Sequence, residues 1–90
     1  MRIPVLLLWK EGQREHREHT FTLIVSWFGC LVSSHNYFPP GTRVRLQHDG
    51  KTLHARVIYS LMDHSTSLVE VGLEFDRDAR EFLGVAIWVE

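Results

Sequence analysis

One dipeptide, Asp49-Gly50, constrains the fold of this chain more than any other feature of the sequence. It separates two strand-like runs, Arg43–His48 and Lys51–Ser60. An Asp-Gly pair tolerates the positive φ angles that a two-residue hairpin turn requires. The segment therefore predicts an antiparallel β-hairpin.

The hairpin also predicts a register, because a two-residue turn determines which residues stand opposite each other. In that register the apolar residues of both strands share one face, which we assign to the core, and the basic residues share the other. The expected pairs are His48 with Lys51, Leu46 with Leu53 and Val44 with Ala55, then Arg45 with His54 and Arg43 with Arg56.

Apolar stretches and turn signals alternate about every ten residues along the rest of the chain, which is typical of a small all-β domain. Ninety residues are enough for one core. We therefore predict one domain over residues 1–90, an all-β, six-stranded antiparallel barrel that a short C-terminal helix caps. The remaining predicted elements are strands at Ile3–Trp9, His19–Ser26, Cys30–Ser33 and Leu68–Phe75, a loop or long hairpin at Lys10–Glu18, a turn at Phe38–Gly41, a polar loop at Met62–Ser67, and a helix at Ala79–Leu83 with Asp76 or Asp78 as its cap and Gly84 as its end.

Charge and cysteine content restrict the class of protein. A net charge of −1 argues against binding DNA, RNA or a membrane surface by bulk electrostatics. Cys30 is the single cysteine, which excludes an internal disulfide and fits a reducing compartment. The apolar run Ile3–Trp9 is much shorter than the roughly 20 residues that span a bilayer, and no small-residue cleavage site follows it. We expect a cytoplasmic protein with no membrane insertion.

A serine and a glycine interrupt the apolar run LIVSWFGCLVSS. Ser26 carries a hydroxyl that can hold a polar ligand beside backbone N–H groups, and Gly29 permits a turn and close approach. Alternatively, the two residues only form a strand-to-strand turn. Trp27 and Phe28 between them could stack on a base at about 1–3 kcal/mol each, or they could pack on the barrel. We predict that one ring is buried and the other partly exposed.

The phrases VSWFGCLVSS, FPPGTRVRL, ARVIYS and VGLEF follow one another in an order that resembles the PilZ domain family. The likeness extends from about Val5 to Gly84. PilZ domains are six-stranded antiparallel barrels, many of which bind the bacterial second messenger cyclic di-GMP. Between their second and third strands they carry an Asp/Asn-x-Ser-x-x-Gly motif, and Ser26-Trp27-Phe28-Gly29 matches its second half. The resemblance thus implies cyclic di-GMP as the candidate ligand of these four residues.

Two departures from the family predict that this binding is weak or lost. Ile24 occupies the acidic or amide position of the motif. The family's Arg-x-x-x-Arg pair precedes the first strand, where this chain has only Arg2. An arginine can bond guanine O6 and N7 and neutralise phosphate, so its loss removes much of the expected affinity. Arg14 and Arg17 follow the first strand with a different spacing, and they are the remaining candidates to replace the pair.

The other residues that could suggest a metal site or a catalytic site do not form a convincing pattern. His16 and His19 lack the further ligands of a zinc site. Adjacent residues rarely converge as a hydrolase triad does, so Asp63-His64-Ser65 is not read as one. We therefore expect no enzyme, no catalytic residue, no metal and no cofactor. The two remaining hypotheses are a PilZ-like signalling domain and a nucleotide-independent protein-interaction adaptor.

One basic face of the predicted hairpin could hold an anion. The alternative, which we favour, is that carboxylates on a neighbouring strand balance its charge. The basic residues are Arg43, Arg45, His54 and Arg56, and the balancing carboxylates are Glu70 and Glu74.

Overall fold

The computed structural model of this chain describes residues 2–77, which form a closed antiparallel barrel. The prediction of a six-stranded all-β barrel is confirmed. No helix occurs in this part of the chain, so none there could cross a membrane. The predicted helix at 79–83 lies outside the described residues. The strands are β1 Pro4–Glu11, β2 Arg14–Val25, β3 Gly29–Ser34, β4 Arg43–His48, β5 Lys51–Asp63 and β6 Leu68–Phe75, and they neighbour one another in the order β1-β2-β3-β6-β5-β4.

The β4–β5 hairpin has the predicted turn and register. Asp49 and Gly50 adopt φ angles of 52° and 76°, as the turn requires. All five predicted cross-strand pairs are present. The inward row is almost completely buried, with Leu46 and Leu53 each 1% exposed. The hairpin therefore contributes one wall of the core.

The observed strand boundaries differ most from the sequence-based prediction at the β1–β2 hairpin and at the end of β5. The segment Lys10–Glu18 is a long hairpin, in which β1 and β2 pair up to Glu11 and Arg14. Strand β5 continues beyond Ser60 to Asp63, so the prediction of a loop from Met62 was wrong by two residues. Met62 and Asp63 are held in the sheet because they pair with the first residues of β6.

The core is a continuous apolar cluster inside the barrel. Trp9 closes it at one end, with its ring 4.9 Å from the ring of Phe38 in an edge-to-face arrangement. Phe38 is held there by Ser60, whose hydroxyl donates to its carbonyl at 2.7 Å. The inward residues of β6 are buried as predicted, namely Val69, Val71, Leu73 and Phe75.

A bulge in each of two strands changes which side chains face outward. One lies between Thr22 and Ile24, and the other between Val57 and Tyr59. A bulge adds one residue to one strand and so reverses the facing of every residue after it. Ile24 and Tyr59 consequently lie on the outer surface of the barrel, 62% and 37% exposed.

Candidate functional site

The turn between β2 and β3 is closed by the side chain of Ser26. The Ser26 hydroxyl oxygen accepts hydrogen bonds from the backbone N–H groups of Phe28 at 3.3 Å and Gly29 at 3.2 Å, and the hydroxyl donates to the Gly29 carbonyl at 3.2 Å. The Ser26 N–H also donates to that carbonyl, at 2.9 Å. A hydroxyl has one donor and two acceptor positions, so the turn occupies all three. Ser26 and Gly29 therefore form the strand-to-strand turn between β2 and β3.

Gly29 is required for the packing of β3 against β6. A Cβ at this position would lie 2.5 Å from the backbone carbonyl oxygen of Leu73. Side-chain carbon and carbonyl oxygen do not approach so closely, and neither backbone can swing aside as a side chain can. The glycine therefore permits the close approach of these two strands.

Both aromatic residues of the turn are at the surface. Trp27 is 36% exposed and Phe28 is 64% exposed, so the prediction that one ring would be buried was wrong. The four-residue turn Ser26–Gly29 projects its two central residues outward, because hydrogen bonds between Ser26 and Gly29 already close its base. The turn carries an exposed aromatic pair.

Beside the turn, the outer wall has a shallow apolar depression of about 220 Å³. Its centre is a row of register partners across four strands, in which Leu31 and Gly72 lie between Ile24 and Tyr59. The Tyr59 ring lies directly over Gly72, where a Cβ would come within 2.5 Å of the ring. The residues around the depression are Ile24, Ser26, Gly29, Cys30, Leu31, Ile58, Gly72 and Leu73.

The sequence-based reasoning did not identify Ile58 or Gly72 as part of a surface site. A glycine inside a strand indicates close approach of another group, and that signal was present in VGLEF. The facing of Ile58 depends on the β5 bulge, for which the sequence carries no comparable signal.

The candidate arginines are not gathered at the turn. Arg2 stacks over the ring of Phe21, 4.7 Å from its centroid, five residues before Ser26 on the chain. Arg14 lies at the opposite end of β2, beside the β1–β2 turn. Arg17 lies on β2, nine residues before Ser26. At about 3.3 Å per residue this spacing corresponds to a distance on the order of 30 Å.

The basic outer face of β4 and β5 is balanced by carboxylates, though only one of them was predicted. Arg56 pairs with Glu74 at 2.6 Å, as expected. Glu70 instead accepts a hydrogen bond from the Tyr59 hydroxyl at 3.0 Å, so its predicted role was wrong. The other two ion pairs on this face are Arg43 with Asp76 at 3.1 Å and Arg45 with Glu15.

The other side chains with reactive groups make hydrogen bonds or packing contacts within the fold. Asp63 accepts hydrogen bonds from the Ser65 hydroxyl at 2.6 Å and the Ser65 N–H at 2.9 Å, and these bonds lower the pKa of its carboxyl. Cys30 is buried, which raises the pKa of its thiol to about 12. His16 stacks on Trp9 with ring centroids 5.6 Å apart. Within residues 2–77 no three metal-ligating side chains form a cluster.

Comparison with known proteins gives no relative: no family model, curated protein or solved structure matches this chain.

Proposed function

We propose that this chain is a non-catalytic signalling domain of the PilZ type, with weak or no affinity for cyclic di-GMP. The observation that carries the proposal is the position of the Ser26–Gly29 turn. It joins the second and third strands of a closed six-stranded antiparallel barrel, which is where the resemblance expects the family's Ser-x-x-Gly segment.

Three features of the turn and its surroundings support weak binding. The Ser26 hydroxyl already makes three hydrogen bonds within the turn, so a ligand would have to displace one of them. Ile24 presents an exposed aliphatic side chain where the motif has a hydrogen-bonding one. Arg14 and Arg17 lie far along β2, where they cannot hold the phosphates of a ligand seated at the turn.

Titration calorimetry of the purified chain with cyclic di-GMP tests this proposal. We expect no saturable heat, or a Kd weaker than about 100 μM, which corresponds to less than about 5.5 kcal/mol of binding free energy. Tight binding with a defined stoichiometry would contradict the proposal.

A substitution at Ile24 tests whether the aliphatic residue at this motif position is one cause of the weak binding. Ile24→Asp restores an acidic side chain at the motif position, and we expect it to bind cyclic di-GMP more tightly than the wild type. Leu61→Asp is the matched control, because Leu61 is equally exposed at 62% and lies outside the depression. An equal gain in both variants would show that the position has no particular importance.

The second candidate function is a nucleotide-independent protein-interaction adaptor. The observation that favours it is the exposed apolar surface around the depression, formed by Ile24, Phe28 and Ile58, which are 62%, 64% and 49% exposed. Contiguous exposed apolar surface is typical of interaction sites. We expect a partner that wild type and Leu61→Asp both retain in affinity capture and Phe28→Asp loses. Equal retention by all three proteins would exclude this surface as the interface.

A further inference from the structure

A second, chemically different pocket opens on the outer wall over β1, β4 and β5, away from the β2–β3 turn. Its volume is about 300 Å³. The strand register places Leu8 next to Arg45, and Arg45 next to His54, across these three strands. Leu8, on the outward row with Arg45, supplies the apolar base, whereas the other apolar residues of the lining, Trp9, Val44 and Ala55, belong to the core. The pocket is therefore a concave surface with an apolar base and polar walls.

The charged groups in the pocket wall have one sign. Lys10, Arg43 and Arg45 line it together with His54, and no acidic side chain among residues 2–77 does. Lys10 is exposed and makes no ion pair with any described carboxylate. Three cationic side chains thus converge on a volume large enough for a phosphate group.

Two of these cations are paired with carboxylates that lie outside the lining. Asp76 binds Arg43 and Glu15 binds Arg45, and in both pairs the side chains are partly or largely exposed to solvent. Exposed ion pairs contribute little to stability, so a ligand with two negative charges can compete with them. An arginine fork also fits a phosphate group as well as it fits a carboxylate.

A second depression of about 360 Å³ adjoins this pocket and shares Trp9, Lys10 and Thr42 with it. Its wall includes Tyr37, whose side chain is 59% exposed, and one carboxylate, that of Glu11. An exposed tyrosine ring offers a face on which a planar group can stack. The two depressions together provide a cationic subsite for an anion next to an aromatic surface.

We propose that this composite pocket binds a small phosphate monoester that carries a planar ring, such as a nucleoside monophosphate. The phosphate contacts Lys10, Arg43 and Arg45, and the ring lies against Tyr37. The site is on a different face from the Ser26–Gly29 turn and does not depend on the PilZ proposal. Binding here would be affected by changes at Lys10 and not by changes at Ile24.

Amide chemical-shift mapping of the full chain, titrated with AMP, inorganic phosphate and adenosine, tests the proposal. We expect AMP to shift the amides of residues 8–10, 42–45 and 54 and to leave those of residues 24–29 unchanged. Inorganic phosphate should shift the same amides at higher concentration, and adenosine should not shift them. No shift in this region with AMP, or equal shifts with adenosine, would overturn the proposal.

Substitutions identify the contacts. Lys10→Gln and Arg45→Gln should each weaken AMP binding by about three- to tenfold, because one charge-assisted contact at an exposed site is lost. Arg2→Gln removes the same charge at the other end of the barrel and should leave the affinity unchanged. Tyr37→Ala should weaken AMP binding without changing that of inorganic phosphate. Equal losses in Arg2→Gln would reveal non-specific attraction and would contradict the proposal.

The same phosphate chemistry occurs in lipid headgroups, so sedimentation with vesicles that contain phosphatidic acid provides the comparison. We expect no co-sedimentation at physiological ionic strength. Vesicle binding that Lys10→Gln abolishes, without AMP binding, would overturn the small-ligand proposal.

Discussion

Gly29→Ala should destabilise the barrel through a single steric contact. The added Cβ would lie 2.5 Å from the carbonyl oxygen of Leu73, a backbone atom of β6. The φ angle of Gly29 is not in the left-handed region, so alanine meets no backbone strain there and the contact alone decides the effect. To relieve it, β3 and β6 must separate where Gly29 and Glu74 are register partners.

The magnitude follows from two opposing terms. Overpacking of this kind costs about 1–3 kcal/mol, and a contact with backbone belongs to the upper part of that range. Replacing glycine by alanine also restricts the unfolded chain, which returns about 0.4–1 kcal/mol. The net loss in the free energy of unfolding should therefore be about 1–2.5 kcal/mol, which lowers Tm by about 5–20 °C in a domain of this size.

Gly72→Ala is the matched comparison, because its Cβ would meet the Tyr59 ring at the same distance of 2.5 Å. That ring belongs to a partly exposed side chain and can rotate away, at the expense of its hydrogen bond to Glu70. The loss in the free energy of unfolding should therefore be below about 1 kcal/mol, comparable to one net hydrogen bond. Urea and thermal unfolding followed by circular dichroism measure both variants. If Gly29→Ala is as stable as the wild type, or more stable than Gly72→Ala, the reasoning about the backbone contact is refuted.

Three further outcomes can be measured on the same protein. Ser26→Ala should reduce the free energy of unfolding by about 0.5–1.5 kcal/mol, because the N–H of Gly29 loses its acceptor; an unchanged urea midpoint would contradict this. The folded-state pKa of Asp63 is lowered by the Ser65 hydrogen bonds, so its stabilisation is present above the unfolded pKa, near 3.8, and is lost as the pH falls through the folded pKa. Asp63→Ala should accordingly lower Tm by more at pH 7 than at pH 2, and an equal loss at both pH values would refute the assignment. Cys30, whose thiol pKa is raised to about 12 by burial, should react slowly with a thiol reagent at pH 8 and rapidly in urea; fast reaction of the folded protein would show that the site opens readily.

Local sequence chemistry was sufficient to predict the hairpin and the fold class. The Asp49-Gly50 turn imposes a two-residue connection, and the alternation of apolar residues then admits one register. The inward residues of β6 were predicted for the same reason, since residues two apart on a strand share a face. These predictions depended only on neighbours along the chain or across one tight turn.

Strand ends and the candidate site were harder to predict. Met62 and Asp63 look like loop residues, yet they are strand because β6 supplies their hydrogen-bonding partners. The two turn aromatics were assigned one inward and one outward position, and both are exposed. A side chain at a barrel end is buried only if another element covers it, which its own sequence does not determine.

The sequence by itself determined the all-β class and the register of the β4–β5 hairpin, because turn chemistry and a period of two are local properties. Only the tertiary structure decided what the outer wall presents. The bulges before Ile24 and Tyr59 reverse the facing of these residues, and the pairing of β1 with β4 brings Leu8 beside Arg45. Barrel closure matches strands that are distant in sequence, and this global fit selects the bulges and therefore the chemistry of both pockets.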